Sequence, residues 1–75
     1  MKEKIINLKG DVQSMLDLVN AATKAGNGIV IKVNHYFIDA TSIPGVFTLD
    51  PCTNWSISYP EEDIEFEEFI NKFEV

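Results

Sequence analysis

The sequence predicts an α+β fold, an open-faced β-sandwich in which a four-stranded, mostly antiparallel sheet carries two long helices and one short helix on one face. Three observations predict it. Strand-like and helix-like segments follow one another as β-α-β-β-α-β-α along 75 residues. Two segments repeat their apolar residues at helical spacing, and the remaining apolar segments are short, β-branched or aromatic and bounded by turn residues. Two amphipathic helices each need an apolar surface, and one face of a small sheet serves both. A chain this short builds a single core, so residues 1–75 form one domain.

The first strand is Lys2–Leu8, with Ile6 and Leu8 sharing the inward face at period two. Asp11 then caps a helix running through Ala25, because its carboxylate accepts from free backbone donors at the positive helix end. Val12, Met15, Leu16, Leu18, Val19, Ala22 and Ala25 cover about half of that helix. Gly26 ends it as a left-handed cap, with Asn27 and Gly28 extending the turn. Ile29–Val33 and Tyr36–Ala40 form a hairpin about the two-residue turn Asn34-His35, since Asn tolerates a positive φ well and His moderately.

Ser42 caps a short helix at Ile43–Leu49, with Pro44 in the first turn where its missing N–H has no helical use. Asp50-Pro51 closes that segment, and Thr53–Tyr59 is the fourth strand, with Trp55, Ile57 and Tyr59 facing one way. Pro60 stops it. Glu61, Glu62 and Asp63 supply negative charge at the start of a last helix, whose stripe is Phe66, Phe69, Ile70 and Phe73. Ile64 lies opposite that stripe or packs within the first turn; the spacing allows both.

Composition narrows the function classes. Six basic against twelve acidic residues give a net charge of −6, which repels phosphate backbones and argues against nucleic-acid partners. The carboxylates of Glu61–Glu74 read as a solvated helix face or an acidic recognition patch. No apolar run is long enough to span a bilayer, and Asn7 and Lys9 interrupt the start too early for a signal peptide, so no membrane insertion and a cytoplasmic protein are expected. Cys52 is the one cysteine and fits a reducing compartment; without a Cys-X-X-Cys partner it predicts no metal site, and no cofactor is expected.

The order of elements and three stretches together resemble HPr, the histidine phosphocarrier family of the bacterial sugar phosphotransferase system. "LVNAATKAGNGIVIKV" resembles that family's first helix and second strand, and Asn34 falls where the family commonly has Asn-Gly. "ATSIPGVFTL" is similar to the family's lysine-serine-isoleucine-methionine-glycine region, matching at Ser42, Ile43 and Gly45, while Thr41 and Pro44 depart from it. The family holds its phosphohistidine in a Gly-X-His-Ala-Arg-Pro loop, because the imidazole must be the nucleophile and the phosphoryl group rests on helix amides beside an arginine. Here that loop is "NLKGDVQS", which is shorter and lacks His, Arg and Pro; Asp11 falls near the histidine position and Gln13 near the arginine position.

The resemblance therefore implies a degenerate, non-enzymatic HPr-like module, a docking or regulatory protein whose partners are phosphotransferase-system or catabolite-regulation components. Its docking surface would comprise Ile43, Pro44, Val46 and Phe47 with Val12 and Met15 at the start of the first helix. Ser42 matches the family's regulatory phosphorylation site. The alternative is an active phosphocarrier with an unrecognised acceptor, for which Asp11 and the lone histidine, His35, are the candidates.

Overall fold

The computed structural model describes residues 1–26 and 28–75, so the part of the first helix's exit turn assigned above to Asn27 lies outside the described residues. Seven elements follow in the expected order: β1 Lys2–Ile6, α1 Val12–Ala25, β2 Val30–Val33, β3 Tyr36–Asp39, α2 Ile43–Val46, β4 Trp55–Tyr59 and α3 Ile64–Asn71. The four strands make one sheet in the order β1-β4-β2-β3. Every pairing is antiparallel, so the sheet is wholly rather than mostly so.

Register puts alternate residues on one face. Ile6 pairs with Trp55 and Ile31 with both Ile57 and Ile38, and Ile6, Ile31, Trp55, Ile57 and Tyr59 are all buried. Helix α1 adds Met15, Leu18, Val19 and Ala22 to this core, and α3 adds Phe66 and Ile70. Glu3, Ile5, Lys32, Phe37 and Asp39 have the opposite parity and lie on the uncovered face. That open face is what makes the sandwich one-sided.

The helix starts follow capping chemistry. Asp11 Oδ1 accepts from the Gln13 N–H at 3.0 Å, and Asp63 Oδ1 accepts from the Phe66 N–H at 3.1 Å. Each satisfies an amide that has no intrahelical partner. Gly26 ends α1 with φ 98° and ψ −139°, a positive-φ backbone that only glycine holds comfortably but not the left-handed helical well expected for a cap.

β2 starts one residue later than expected, at Val30, and β3 ends one residue earlier, at Asp39, while β1, α2, β4 and α3 are shorter by more, each for a physical reason. Leu8 is buried as predicted, yet β1 stops at Ile6 because Lys9 and Gly10 both take positive φ and turn the chain off the ladder. Helix α2 is one turn rather than Ile43–Leu49. Beyond Val46 the backbone bonds shorten to three-residue spacing, Thr48 N–H to Gly45 O and Leu49 N–H to Val46 O, and the residue before Pro51 disfavours helix. Strand β4 starts at Trp55, since Thr53 donates back to the Asp50 carbonyl through both its amide and its hydroxyl.

Helix α3 has only 8 residues, so α1 is the one long helix among the described residues. The chain leaves α3 before Phe73 to reach the outer side of β1: the Asn7 N–H donates to the Phe73 carbonyl at 2.9 Å and the Val75 N–H to the Ile5 carbonyl at 3.0 Å. Ile64 is 64% exposed, which settles it on the solvent side of α3.

Candidate functional site

The β1–α1 loop, Asn7 to Asp11, is the segment in which the sequence resemblance places a phosphoacceptor. Asn7 organises it: its Oδ1 accepts from the Lys9 N–H at 2.7 Å, and its Nδ2 donates to Asn54 Oδ1 at 2.9 Å and to the Cys52 carbonyl at 3.3 Å. The Gly10 N–H donates to the Pro51 carbonyl at 3.0 Å, which ties this loop to the turn that precedes β4. Gly10 has φ 78°, and a Cβ there would lie 3.1 Å from Cys52 Sγ. Sequence reasoning missed Asn7; its signal was an amide side chain three residues ahead of a glycine, a common builder of local turns.

Asp11 follows directly and both of its oxygens are engaged. Oδ1 takes the Gln13 amide, and Oδ2 accepts from Ser14 Oγ at 2.9 Å. Gln13 turns away and donates to Asp17 Oδ1 at 3.0 Å. The residue at the acceptor position is therefore built as a helix cap. Lys9, two residues earlier, forms no ion pair among the described residues.

His35 stands exposed at the tip of the β2–β3 hairpin, where Asn34 alone takes the left-handed conformation, with φ 56°. The hairpin and β1 lie on opposite sides of β4. Strand spacings of about 4.8 Å make that a separation of two to three strands. His35 is not folded back onto the amides that Asp11 caps. No three residues among the described His, Cys, Asp and Glu lie together as a metal-binding group.

Helix α2 answers for the Ser-Ile-Pro-Gly segment. Ser42 Oγ accepts from the Gly45 N–H at 3.2 Å, and the Ser42 N–H donates to the Asp39 carbonyl at 3.0 Å. Pro44 sits in the first turn. Gly45 lets the turn lie flat on β3, because a Cβ at that position would stand 2.9 Å from Ile38 Cγ2. The four residues thus cap, start and seat a single helical turn. The Ser42 hydroxyl is half-buried and already serves as an acceptor in that cap.

The expected docking residues divide into two groups. Val12 is 60% exposed, Ile43 47% and Phe47 40%, and Pro44 is exposed as well. Val12 opens α1, and Ile43, Pro44 and Phe47 belong to α2 and its C-cap, the helix that α1 packs against. Met15 and Val46 do not belong to the exposed surface: they are 2% and 0% exposed and lie in the core. Met15 falls on the α1 stripe that meets the sheet, and Val46 is the α2 residue that turns under the helix toward it, so both are packing residues.

A second polar group lies at the far end of the sheet. Tyr59 Oη donates to Glu67 Oε2 at 2.6 Å, and Lys2 Nζ lies 2.8 Å from the same oxygen. The Lys2 hydrogen bond, then that of Tyr59, holds the Glu67 carboxyl below the ordinary carboxylate range. Burial, then the hydrogen bond to Glu67, raises the Tyr59 phenol, and Glu67 raises the Lys2 ammonium. This cluster joins β1 and β4 to α3. Its chemistry is that of a structural tie, with every member satisfied by another.

These features define a small α+β domain with an antiparallel sheet open on one face and three helices on the other. No family model, curated protein or solved structure matches the chain.

Proposed function

We propose that the chain is a non-catalytic, HPr-like docking or regulatory module of the bacterial cytoplasm. It works by protein–protein contact with components of the sugar phosphotransferase system or of catabolite regulation. One observation carries this reading: four apolar residues, Val12 at the start of α1 and Ile43, Pro44 and Phe47 on α2 and its C-cap, stay in solvent while Met15 and Val46 on the same two helices are buried. An exposed apolar cluster beside a polar rim is the usual form of a contact surface. The order β-α-β-β-α-β-α and the one-turn helix capped by Ser42 support the HPr-like assignment.

The module transfers no phosphoryl group, because the β1–α1 loop presents a cap in place of a nucleophile. Incubation with Enzyme I and phosphoenolpyruvate is the test. The expected outcome is no stable label on the chain. Stoichiometric label on His35 or Asp11 overturns the non-catalytic reading. Ser42 acts as a switch within this reading: a phosphate there displaces the Gly45 hydrogen bond and adds about two negative charges beside the apolar cluster. Ser42→Asp is expected to change binding to the phosphotransferase proteins in a pull-down, whereas Ser42→Ala retains it. Equal binding by both variants reduces the serine to a cap.

A further inference from the structure

The sheet has two edges, and they are finished differently. Residues 73–75 lie along the outer side of β1, with Ile6 bridged to Glu74 and hydrogen bonds to Ile5 and Asn7. Among the described residues, strand β3 has β2 on one side and no strand on the other.

The alternation of an antiparallel ladder tells which of its backbone groups are free. The Ala40 N–H donates to the Ile29 carbonyl at 3.1 Å, which makes Ala40 and Ile29 a hydrogen-bonded pair. By period two, Ile38–Ile31 and Tyr36–Val33 are hydrogen-bonded pairs as well. Phe37 and Asp39 therefore turn their N–H and C=O groups outward. The Asp39 carbonyl is taken by the Ser42 N–H. Both groups of Phe37 and the N–H of Asp39 remain on the open edge. The edge is also sticky, since Tyr36 is 69% exposed and Phe37 71% exposed on opposite faces of the same strand. It carries no proline, and a short apolar edge without one is a template for strand addition.

We propose that this edge pairs with the β3 edge of a second copy of the chain, antiparallel, about a two-fold axis at Phe37. The register follows from hydrogen-bond parity and charge. Outward-facing residues must meet outward-facing residues, which allows two-fold axes at Tyr36, Phe37, Ile38 or Asp39. An axis at Asp39 sets two carboxylates against each other, and one at Ile38 sets Asp39 against Phe37. An axis at Tyr36 runs the second strand past the hairpin tip, where Asn34 has φ 56° and cannot continue a ladder.

The axis at Phe37 alone gives every side chain a suitable partner. Phe37 faces Phe37, Tyr36 faces Ile38, and Asp39 faces His35, whose imidazole offers an N–H to the carboxylate oxygen Oδ2, Oδ1 being held by the Thr41 N–H and hydroxyl. Aromatic pairs and aromatic–β-branched pairs are favourable cross-strand combinations, and so is a hydrogen-bonded polar pair. Lys32 Nζ, 5.6 Å from the Phe37 ring centroid, covers the outer flank of the paired rings. A contact of this form is isologous, each copy offering the same patch.

Two quantities set its strength. Burial of about 150–250 Å² per aromatic residue leaves the pairing below the roughly 1,200 Å² of stable complexes, so the dimer is weak. Two copies of net charge −6 also repel, and salt screens that repulsion over a Debye length of about 8–10 Å. Association therefore tightens as salt is added, the reverse of a salt-bridged interface.

Sedimentation equilibrium and ¹⁵N-resolved shifts of the full chain, read between about 10 µM and 1 mM, test the pairing, as expected for a weak interface with few buried anchors. The expected result is a concentration-dependent dimer that strengthens in added NaCl. Its shift changes and amide protection centre on Phe37 and Asp39. Phe37→Pro removes the outward N–H and abolishes the dimer. Phe37→Lys sets two like charges across the axis and does the same even though it reduces the overall negative charge from −6 by one, with the fold checked by Trp55 fluorescence. A chain that stays monomeric at 1 mM in high salt overturns the proposal. So does a dimer that survives Phe37→Lys, or one whose shifts map to Val12, Ile43 and Phe47 and so mark α1 and α2 as the self-contact.

Discussion

Replacing Phe66 by alanine tests how the last helix is held. Phe66 is 2% exposed, and its ring centroid lies 5.7 Å from that of Tyr59 and 6.3 Å from that of Phe69. Truncating a buried Phe to Ala costs about 3–5 kcal/mol, the sum of lost transfer energy and the cavity left behind. At about 0.05–0.15 kcal/mol per residue, a chain of 75 residues has roughly 4–11 kcal/mol in all. The substitution therefore removes between about a quarter and all of the stability. Phe69 shares the same stripe but is only half-buried, beside the Lys72 ammonium, which lies 5.7 Å from its centroid. Its truncation is expected to cost about half as much, roughly 2 kcal/mol.

Urea unfolding followed by Trp55 fluorescence reads both, because the single tryptophan is 1% exposed in the folded chain and reaches water only on unfolding. At a slope of about 1.5 kcal/mol per molar, Phe66→Ala lowers the midpoint by about 2–3 M and Phe69→Ala by little more than 1 M. The ordering is the decisive result. If Phe69→Ala costs more than Phe66→Ala, α3 docks through a face other than the one described.

Other outcomes follow from single contacts. Gly45→Ala gains helix propensity of about 1 kcal/mol but drives a methyl against Ile38, so a net loss of about 1–2 kcal/mol is expected in the same titration, reduced in an Ile38→Ala background. Gly10→Ala is expected to cost about 1–2 kcal/mol because φ 78° suits glycine alone. Cys52→Ala recovers only the part due to the 3.1 Å approach to Sγ, which a double-mutant cycle measures.

Stability also depends on pH at both ends of the range. Glu67 is lowered from 4.5, so its contribution is complete above that pH and is lost as acid protonates it through its folded value. Lys2 is raised from 10.5 and contributes fully below that pH, then less as base removes its proton. Tyr59 is raised from 10.0, so the unfolded chain releases the phenolic proton first and stability falls above pH 10. Tyr59→Phe is expected to flatten the alkaline limb of urea midpoint against pH. An unchanged limb refutes the account in which burial, with the Glu67 hydrogen bond beside it, raises the phenol.

Much of the architecture was legible in the order of residues because its signals are local. Asp11, Gly26 and the α1 stripe mark a helix by capping and period. Trp55-Ser56-Ile57-Ser58-Tyr59 marks a strand by alternation, and the structure buries those alternate residues. The misplaced features depend on tertiary partners. Phe73 continues the α3 period perfectly, yet the chain abandons the helix to pair with β1, a choice visible only once β1 is in place. Period likewise puts Met15 and Val46 on apolar faces without saying whether solvent or sheet lies beyond. The resemblance assigned both to a surface, and packing assigns them to the core. Asn7 escaped notice because its role requires Cys52 and Asn54, more than forty residues away, to be folded beside it.

The way residues 73–75 run along β1 bears on the physical fate of the chain at high concentration. Open-ended polymerisation by strand addition needs an acceptor edge at each side of every subunit. Here residues 73–75 have already taken the Ile5–Asn7 end of one, leaving only the Lys2–Lys4 half of β1 with outward backbone groups. Growth through β3 consequently ends at a closed pair, and the same few residues that finish the fold also guard it against fibre formation.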